Sequence, residues 1–312
     1  MIKEVSIVIH PEKEKDEKFI QKEICLALKK QGISFEEKDI STVFVKKSID
    51  ARHKNIKLFL RYKVYIGEKP ADENSLPEWK TTTGKKTVAI IGSGPAGLFG
   101  ALKLLEHGIK PVVIERGSET SKRKRDIAMI STTGIVDENS NYCFGEGGAG
   151  TFSDGKLYTR SNKRGNINGI LKIFTHFGAD KKILTDSHPH IGTDKLPAIV
   201  NNIRNFILQQ GGEFLFDTEC VDFILEKSED EKIVKGVVVK SHGEIKNIFA
   251  DAVLLATGHS ADSIYTLLAK LSPESLEAKT FAMGVRVEHP RNLIDSIQFH
   301  GQKNHERGAA EY

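Results

Sequence analysis

Hydrophobic and polar positions over the first 66 residues follow the pattern of a small α+β module. Residues 5–9 and 43–45 are typical of short strands, and residues 56–66 alternate apolar and charged side chains like a half-buried antiparallel strand. Between the first two strands, Asp16 begins a predicted helix that Gly32 ends. Its apolar face repeats every fourth residue: Ile20, Ile24 and Leu28. The predicted order is strand, helix, strand, strand.

A second pattern begins after a polar stretch with two prolines, residues 67–86, which is typical of a linker. Residues 87–91 form an apolar run of strand length. A helix is predicted from Pro95 to Glu106, ended by Gly108, and a second strand over residues 111–115. Together these elements predict a strand–helix–strand unit of the βαβ kind.

The rest of the chain is predicted to be less regular. Residues 117–186 are glycine-rich, with one helix near residues 167–177. Further elements are predicted in this order: a helix over 196–210, a strand over 213–216, an antiparallel meander over 221–249 and a fully apolar strand over 251–256.

The fold class that follows is α/β: a Rossmann-like domain, made of the βαβ unit and the meander, preceded by the small α+β module. The predicted boundaries are residues 1–70 for the module, 71–86 for the linker, 87–277 for the Rossmann-like domain and 278–312 for the start of an incomplete further domain.

The turn between the first strand and the helix of the βαβ unit carries the spacing G-x-G-x-x-G. The glycines are Gly92, Gly94 and Gly97, and Pro95 and Ala96 open the helix. In a dinucleotide site, the first glycine permits the tight turn, the second lets the backbone approach a pyrophosphate, and the third lets helix and strand pack closely. N–H groups at the start of the helix then bind the anion. A glycine-rich turn without a ligand is the alternative.

Glu115, at the end of the second strand, gives the motif the context of a dinucleotide fingerprint. Its carboxylate is predicted to accept hydrogen bonds from the adenosine ribose and disfavours the 2′-phosphate of NADP; Arg116 is the neighbouring candidate contact. Three features favour FAD over NAD: the helix opening GPAGL, the sequence ERG at 115–117, and the apolar strand that ends in Ala256, Thr257 and Gly258.

These features resemble the glutathione-reductase-type FAD superfamily, in which such a strand and its Ala-Thr-Gly end lie beside the cofactor. Three motifs narrow the resemblance to a largely uncharacterised family of FAD-dependent dehydrogenases: NYCFGEGGAGTFSDGKL at 141–157, HIGTDKL at 190–196 and FAMGVRVEHP at 281–290. The module with SIDAR at 48–52 also resembles that family's N-terminal ferredoxin-like domain. The resemblance implies FAD as cofactor, with Thr257 and Gly258 close to it, and implies no substrate.

The loop of residues 145–155 has five glycines in eleven positions, and successive backbone N–H groups of this kind form anion-binding concavities. The resemblance implies that the loop passes over the FAD, near the pyrophosphate and the flavin. The candidate contacts are Gly147, Gly148, Ala149, Gly150, Ser153, Asp154 and Lys156. A cation near the flavin pyrimidine stabilises the reduced anion, so Lys156 is a candidate redox tuner. A mobile loop with solvated polar residues is the alternative.

Five weaker candidates have structural alternatives. His188 and His190 suggest a metal pair, but a loop without metal is favoured because no third ligand stands close in sequence. His259 follows the strand end, where a packing or solvent role is favoured over an approach to the flavin. Cys143 is interpreted as a buried structural cysteine rather than a reactive thiol. Arg286 is expected in a structural ion pair rather than against an anionic substrate.

The composition of the chain mainly excludes classes of protein and site. The 312 residues are 39% hydrophobic and 28% charged with a net charge of +4, values typical of a soluble globular protein. Basic residues at 122–125 and the lysines between 13 and 30 are interpreted as solvated helix faces, so no nucleic acid is expected. No apolar run reaches the roughly 18 residues of a membrane span, and no signal peptide is visible. Three distant cysteines predict neither disulfides nor zinc, which favours the cytoplasm.

Two functions from different classes follow. The first is an FAD-dependent oxidoreductase, a dehydrogenase that transfers hydride or electrons to or from an unknown small organic substrate; no residue stands out as a catalytic base. The second is a non-catalytic FAD-binding sensor, or a flavoprotein whose N-terminal module binds a partner. No second G-x-G-x-x-G predicts a separate NAD(P)H domain, and residues 259–312 lack an apolar strand followed by Gly-Asp. We therefore expect the sequence to be truncated at its C-terminal end.

Overall fold

In the computed structural model, which describes residues 1–70, 75–159, 165–192, 194–227, 232–285, 287–301 and 310, the N-terminal module has the predicted order of elements. These are β1 (Ile2–Ile9), α1 (Glu17–Lys30), β2 (Ile40–Asp50) and β3 (Lys57–Ile66). The strands form an antiparallel sheet in the order β1-β3-β2. The Asp16 carboxylate caps α1 by accepting a hydrogen bond from the Phe19 amide at 3.0 Å, as the sequence predicts.

The core of the module lies between α1 and one face of the sheet. Its buried residues are Val5, Ile7, Ile9, Ile24, Leu28, Leu58, Leu60 and Val64. The alternating pattern of β3 therefore predicts its buried face correctly. β2 is longer than the three residues that sequence indicates, because hydrogen bonds to the central strand β3 extend it through polar residues. The resemblance of this module to a ferredoxin-like domain stays a prediction.

The second domain is built on a parallel sheet in the order β10-β4-β5-β6. Its strands are β4 (Thr87–Ile91), β5 (Lys110–Ile114), β6 (Glu213–Leu215) and β10 (Ala252–Leu255). On one face, α2 (Pro95–Glu106) and α5 (Leu196–Gln209) bury Leu102, Leu105, Ile199, Ile203 and Ile207. This arrangement is an α/β dinucleotide-binding fold, and it brings the carboxyl ends of β4, β5 and β10 to one edge.

The other face of the parallel sheet is covered by the antiparallel sheet β7-β8-β9 and by α6 (Asp262–Leu271). The three strands are β7 (Thr218–Lys227), β8 (Lys232–Ser241) and β9 (Glu244–Phe249). β10 is predicted as fully apolar, yet Leu254 and Leu255 are 39% and 38% exposed. The reason is its position at the edge of the sheet, where one side of the strand has no neighbour among the described residues.

Along the chain, α3 (Thr120–Thr133) and α4 (Ile167–His176) lie between β5 and β6, and α7 (Arg291–Gln298) follows near the C-terminal end. The sequence predicts α4 but assigns residues 117–166 to irregular chain, which is wrong for α3. The interpretation of residues 122–125 as a solvated face is also wrong at Arg123, which is 1% exposed. Its guanidinium is buried because it donates hydrogen bonds into the glycine-rich loop, as described below.

The predicted linker packs along the second domain. Trp79 contacts Phe177 and Phe206, with ring centroids 5.9 and 5.1 Å apart. Backbone hydrogen bonds from Lys80 and Thr82 join the same segment to the ends of α2 and α5. The described part of the linker is therefore fixed against the domain rather than extended in solvent.

The two domains also meet at the edge strand β2. The Lys47 amide donates to the Thr185 carbonyl at 2.8 Å, and the Ser187 amide donates to the Lys47 carbonyl at 3.1 Å. Further along, the Leu157 amide donates to the Pro189 carbonyl at 2.8 Å, which joins the same segment to the end of the glycine-rich loop.

None of the helices within the described ranges is long and apolar enough to cross a membrane.

Candidate functional site

The fingerprint glycines Gly92 and Gly97 have the packing roles that sequence predicts. Gly92 has a φ of +103°, and a Cβ built there would overlap the carbonyl of Ala256 at the end of β10. A Cβ on Gly97 would overlap the Gly92 carbonyl, so this glycine lets α2 lie close against the turn. Both positions exclude side chains because of protein backbone, whether or not a ligand is bound.

Gly94 differs, because the space beside it is open. It is the N-cap of α2, and a Cβ there would meet only the Cα of Gly148, at 3.7 Å. Gly148, with a φ of +75°, belongs to the glycine-rich loop. The Gly147 amide donates to the Ser93 carbonyl at 3.0 Å and holds the two glycine-rich segments side by side. N–H groups at the first turn of α2 therefore open into a narrow backbone cradle, which suits a pyrophosphate.

The Glu115 side chain is 5% exposed and has four hydrogen-bond donors within the protein. Its Oε2 accepts from the Ser93 amide at 2.9 Å and from the Ser93 hydroxyl at 2.7 Å. Its Oε1 accepts from the amides of Gly117 and Gly145 at 2.9 and 3.0 Å. A carboxylate offers about four lone-pair positions, so these donors use them fully. In this structure Glu115 therefore holds together the backbone segments at Ser93, Gly117 and Gly145. The predicted contact with the adenosine ribose stays a prediction.

Arg116 lies at the mouth of the same site. Its guanidinium stacks over the Phe144 ring at 4.7 Å, and its Nε donates to the Asn139 side chain at 2.7 Å. Nη1 lies 3.7 Å from a carboxylate oxygen of Glu219. Stacking and these two partners fix the plane of the guanidinium, and they place a flat cationic surface beside the start of β7.

Arg123, one turn into α3, organises the glycine-rich loop from below. Its guanidinium donates to five backbone carbonyls and the Thr151 hydroxyl; the carbonyls are those of Asn141, Tyr142, Gly145, Glu146 and Gly148. Burial lowers the pKa of the guanidinium, and the nearby Glu115 acts in the opposite direction. A Cβ on Gly145 would overlap the Arg123 side chain. Sequence reasoning missed this role, because one buried arginine in a basic run has no distinguishing pattern.

A second buried group lies within the loop itself. Glu146 is fully buried, and its Oε2 accepts from the Thr120 amide at 2.8 Å and from Arg204 at 3.2 Å. The same arginine nitrogen lies 2.9 Å from Glu119. Oε1 of Glu146 has no partner within the described structure. Burial raises the pKa of Glu146, although the Thr120 amide and Arg204 oppose this.

A cavity of about 480 Å³ extends across these elements at the carboxyl ends of the parallel strands. Ten of the predicted site residues line it: Gly92, Gly94, Pro95, Ala96, Glu115, Arg116, Gly148, Ala149, Thr257 and Gly258. Gly97 and Gly147 lie beside it with backbone roles. Ligands of open α/β sheets bind at this edge, so the cavity is the candidate dinucleotide site.

Sequence reasoning did not predict several residues that complete the lining. They come from the loop before Gly145, the start of β7 and the α6 region: Phe144, Thr218, Glu219, Cys220, Ser263, Ile264 and Leu268. Cys143 and His259, two weaker candidates, also line the cavity. Cys143 is exposed and lines this cavity, so its interpretation as a buried cysteine is wrong. Cys220 is buried, and burial raises the pKa of its thiol to about 12.

Ser153, Asp154 and Lys156 lie outside that cavity and line a second one, of about 520 Å³. Ala149 lines both, so the glycine-rich loop is a shared wall. Nζ of Lys156 lies 3.6 Å from Asp154. Gly150 lines neither cavity, and its carbonyl accepts from the Ser153 amide at 3.0 Å.

The remaining candidates are not brought into the site. The His188 ring packs against Tyr158, with centroids 4.5 Å apart. His190 forms an isolated β-bridge with Lys156. Over the described ranges, no three His, Cys, Asp or Glu residues are placed to hold a metal ion. Arg286 lies outside the described residues.

Comparison with family models gives three matches. Residues 85–135 match an FAD binding domain, residues 280–312 match the C-terminal domain-like part of an FAD-dependent protein, and residues 1–65 match a domain of unknown function. The FAD-binding match covers the fingerprint, Glu115, Arg116 and Arg123.

Two curated proteins are similar to this chain in sequence. The chain is 37% identical over 311 residues to an uncharacterised protein of Clostridium beijerinckii, which covers 94% of this chain and 56% of that protein. It is 24% identical over 194 residues to the flavin-containing monooxygenase FMO GS-OX-like 9 of Arabidopsis thaliana, covering 56% of this chain and 37% of that protein. The chain therefore spans about half the length, or less, of these curated relatives.

Among solved structures, THI4 of Thermovibrio ammonificans has a TM-score of 0.40 at 18% identity, covering 60% of this chain and 63% of that chain. An FAD complex of glycerol-3-phosphate dehydrogenase from Bacillus halodurans has a TM-score of 0.37 at 14% identity, covering 60% and 37%. Neither likeness extends to function. The family matches at the fingerprint and the backbone cradle agree on one ligand: the cofactor of this site is FAD.

Proposed function

We propose that this chain forms the FAD-binding core of an FAD-dependent oxidoreductase, most specifically a dehydrogenase, acting on a small organic substrate. One observation carries the proposal. Two glycine-rich segments face each other at Gly94 and Gly148, at the N-terminus of α2, and leave a backbone cradle that a Cβ would narrow. This cradle opens into the cavity of about 480 Å³ at the carboxyl ends of the parallel strands.

Each part of the site has a role under this proposal. The first-turn amides of α2 bind the pyrophosphate, and Arg116 and the start of β7 flank the adenosine. Thr257 and Gly258 close the opposite wall. Bound FAD supplies hydride and electron transfer, while the protein orients the cofactor and excludes water from it. Lys156 contributes a cation on the far side of the glycine-rich loop.

The family matches and the flavin-containing relative support an oxidoreductase over a non-catalytic flavoprotein. The pairing of β2 with residues 185–187 favours a supporting role for the N-terminal module, in addition to any partner that it binds.

Two measurements test the function. The purified protein should be yellow, and acid-released cofactor should run as FAD on chromatography. Under anaerobic conditions, pooled organic donors should then bleach the flavin absorbance of the same preparation. Release of a different nucleotide would contradict the cofactor. FAD that no donor reduces, although dithionite does, would favour a non-catalytic flavoprotein.

A further inference from the structure

A second cavity lies between α3 and the glycine-rich loop, outside the cavity that the fingerprint glycines line. Its walls are mixed: Ile127 and Phe152 are apolar, and Arg123, Tyr142, Ser153, Asp154 and Lys156 are polar or charged. Its volume of about 520 Å³ is within the range of small-molecule sites. Ala149 lines both this cavity and the cofactor cavity, so the loop at this residue forms the wall between them.

The charge on the inner wall of this cavity is positive. Arg123 is 1% exposed, and all its hydrogen bonds go to carbonyl and hydroxyl oxygens. Across the part of the chain that the structure describes, no carboxylate forms an ion pair with it within 4.0 Å. The nearest acidic side chains have other partners, since Glu115 accepts four protein donors and Glu146 pairs with Arg204.

The rim of the cavity adds a second cation. Nζ of Lys156 has a distant partner in Asp154, at 3.6 Å, and its side chain is 78% exposed. Arg123 and Lys156 against Asp154 leave a net charge of +1 in the lining. Phe152 lies under the Arg123 guanidinium, 5.5 Å away, and together with Ile127 it offers an apolar surface next to these cations.

We propose that this cavity binds a small organic acid, with its carboxylate toward Lys156 and its apolar body against Phe152 and Ile127. The inference deepens the proposed oxidoreductase function and rests on it, because a molecule there is separated from the cofactor cavity only by the loop at Ala149. A carboxylate matches the positive field of Arg123 and the exposed ammonium of Lys156, whose ion pair with Asp154 is long at 3.6 Å, whereas a neutral molecule of equal size gains only the apolar contact.

Isothermal titration of the 312-residue chain tests this, with benzoate and hexanoate as probes and benzyl alcohol as the neutral control. We expect both acids to bind, and benzyl alcohol to bind roughly tenfold or more weakly, the ratio for loss of one charge-assisted hydrogen bond. Titrations use protein with and without FAD, because the cavity residues belong to the protein itself. Binding of neither acid, or equal binding of benzyl alcohol, would overturn the proposal.

Variants then locate the bound acid. Lys156→Gln should weaken benzoate roughly tenfold, and Asp154→Asn should tighten it several-fold, because it removes the competing negative charge. Lys124→Gln, an exposed lysine on the same helix as Arg123 but outside the cavity, is the matched control and should have no effect. Benzoate affinity unchanged in both cavity variants would place the site elsewhere and overturn the proposal. Stoichiometric FAD in protein that binds no acid would contradict only this inference, whereas benzoate binding by protein that takes up no added FAD would contradict only the cofactor.

Discussion

The carboxylate of Glu115 accepts a hydrogen bond from the backbone amide of Gly145, at 3.0 Å and 30 residues further along the chain. Through its other bonds the same side chain holds Ser93, after β4, and Gly117, after β5. One buried anion thus joins both turns of the βαβ unit to the start of the glycine-rich loop. Its removal should affect the apoprotein as well as the cofactor.

Replacing Glu115 with Gln tests this anchor. The amide nitrogen of Gln cannot accept, so one pair of donors becomes unsatisfied, at a cost of about 1–3 kcal/mol in the free energy of unfolding. FAD affinity should fall as well. Urea unfolding of the apoprotein and FAD titration measure the two effects, with the exposed Glu138→Gln as control. Weaker FAD binding with unchanged apoprotein stability would mean that Glu115 acts only on the cofactor.

Alanine at Gly94 and at Gly97 should separate cofactor binding from packing. A Cβ at position 94 meets only Gly148, at 3.7 Å, so the apoprotein should keep its stability while FAD affinity falls. A Cβ at position 97 overlaps the Gly92 carbonyl, so Gly97→Ala should destabilise the apoprotein itself. Thermal unfolding without FAD and flavin-to-protein ratios check the pair. Full flavin occupancy in Gly94→Val would show that no phosphate passes this position.

Arg123→Lys should disrupt the glycine-rich loop although the substitution keeps the positive charge. A lysine has three donors on one nitrogen and cannot span the carbonyls from Asn141 to Gly148. Each buried acceptor without a donor costs about 1–3 kcal/mol, so we expect strong destabilisation and loss of FAD. The exposed Arg125→Lys should behave like the unmodified protein. Limited proteolysis around residues 141–151 reports the loop directly, and protection equal to that of the unmodified chain would refute the role of Arg123.

Glu146 should make stability depend on pH. Burial raises its pKa in the folded protein above the ordinary value of 4.5, so the folded state holds this proton more tightly than the unfolded state does. Its contribution is fully present below pH 4.5 and is lost as pH rises through the raised pKa. Urea unfolding between pH 4 and 8 measures the slope, and Glu146→Gln should flatten it. The exposed Glu12→Gln serves as control; an equal slope in Glu146→Gln would show that another group titrates.

The sequence by itself determined the local elements and the cofactor. Period-two and period-four patterns predict β3 and α1, because burial of one face imposes them on the chain. Gly92, Gly94, Gly97 and Glu115 predict a dinucleotide turn, because only glycine permits such close backbone approach. The FAD-binding family match confirms FAD on the same segment.

The tertiary structure decided what depends on distant residues. The carbonyls that bury Arg123 and three of the four donors on Glu115 lie 18 or more residues away in sequence, and no local pattern records them or the exposure of Cys143. The second cavity exists because α3 packs under the glycine-rich loop, and β2 extends through polar residues because it pairs with β3 along its whole length. Hydrogen-bond satisfaction of buried backbone is a property of the whole fold, so a polar residue's role at such a point is visible only when both partners are in place.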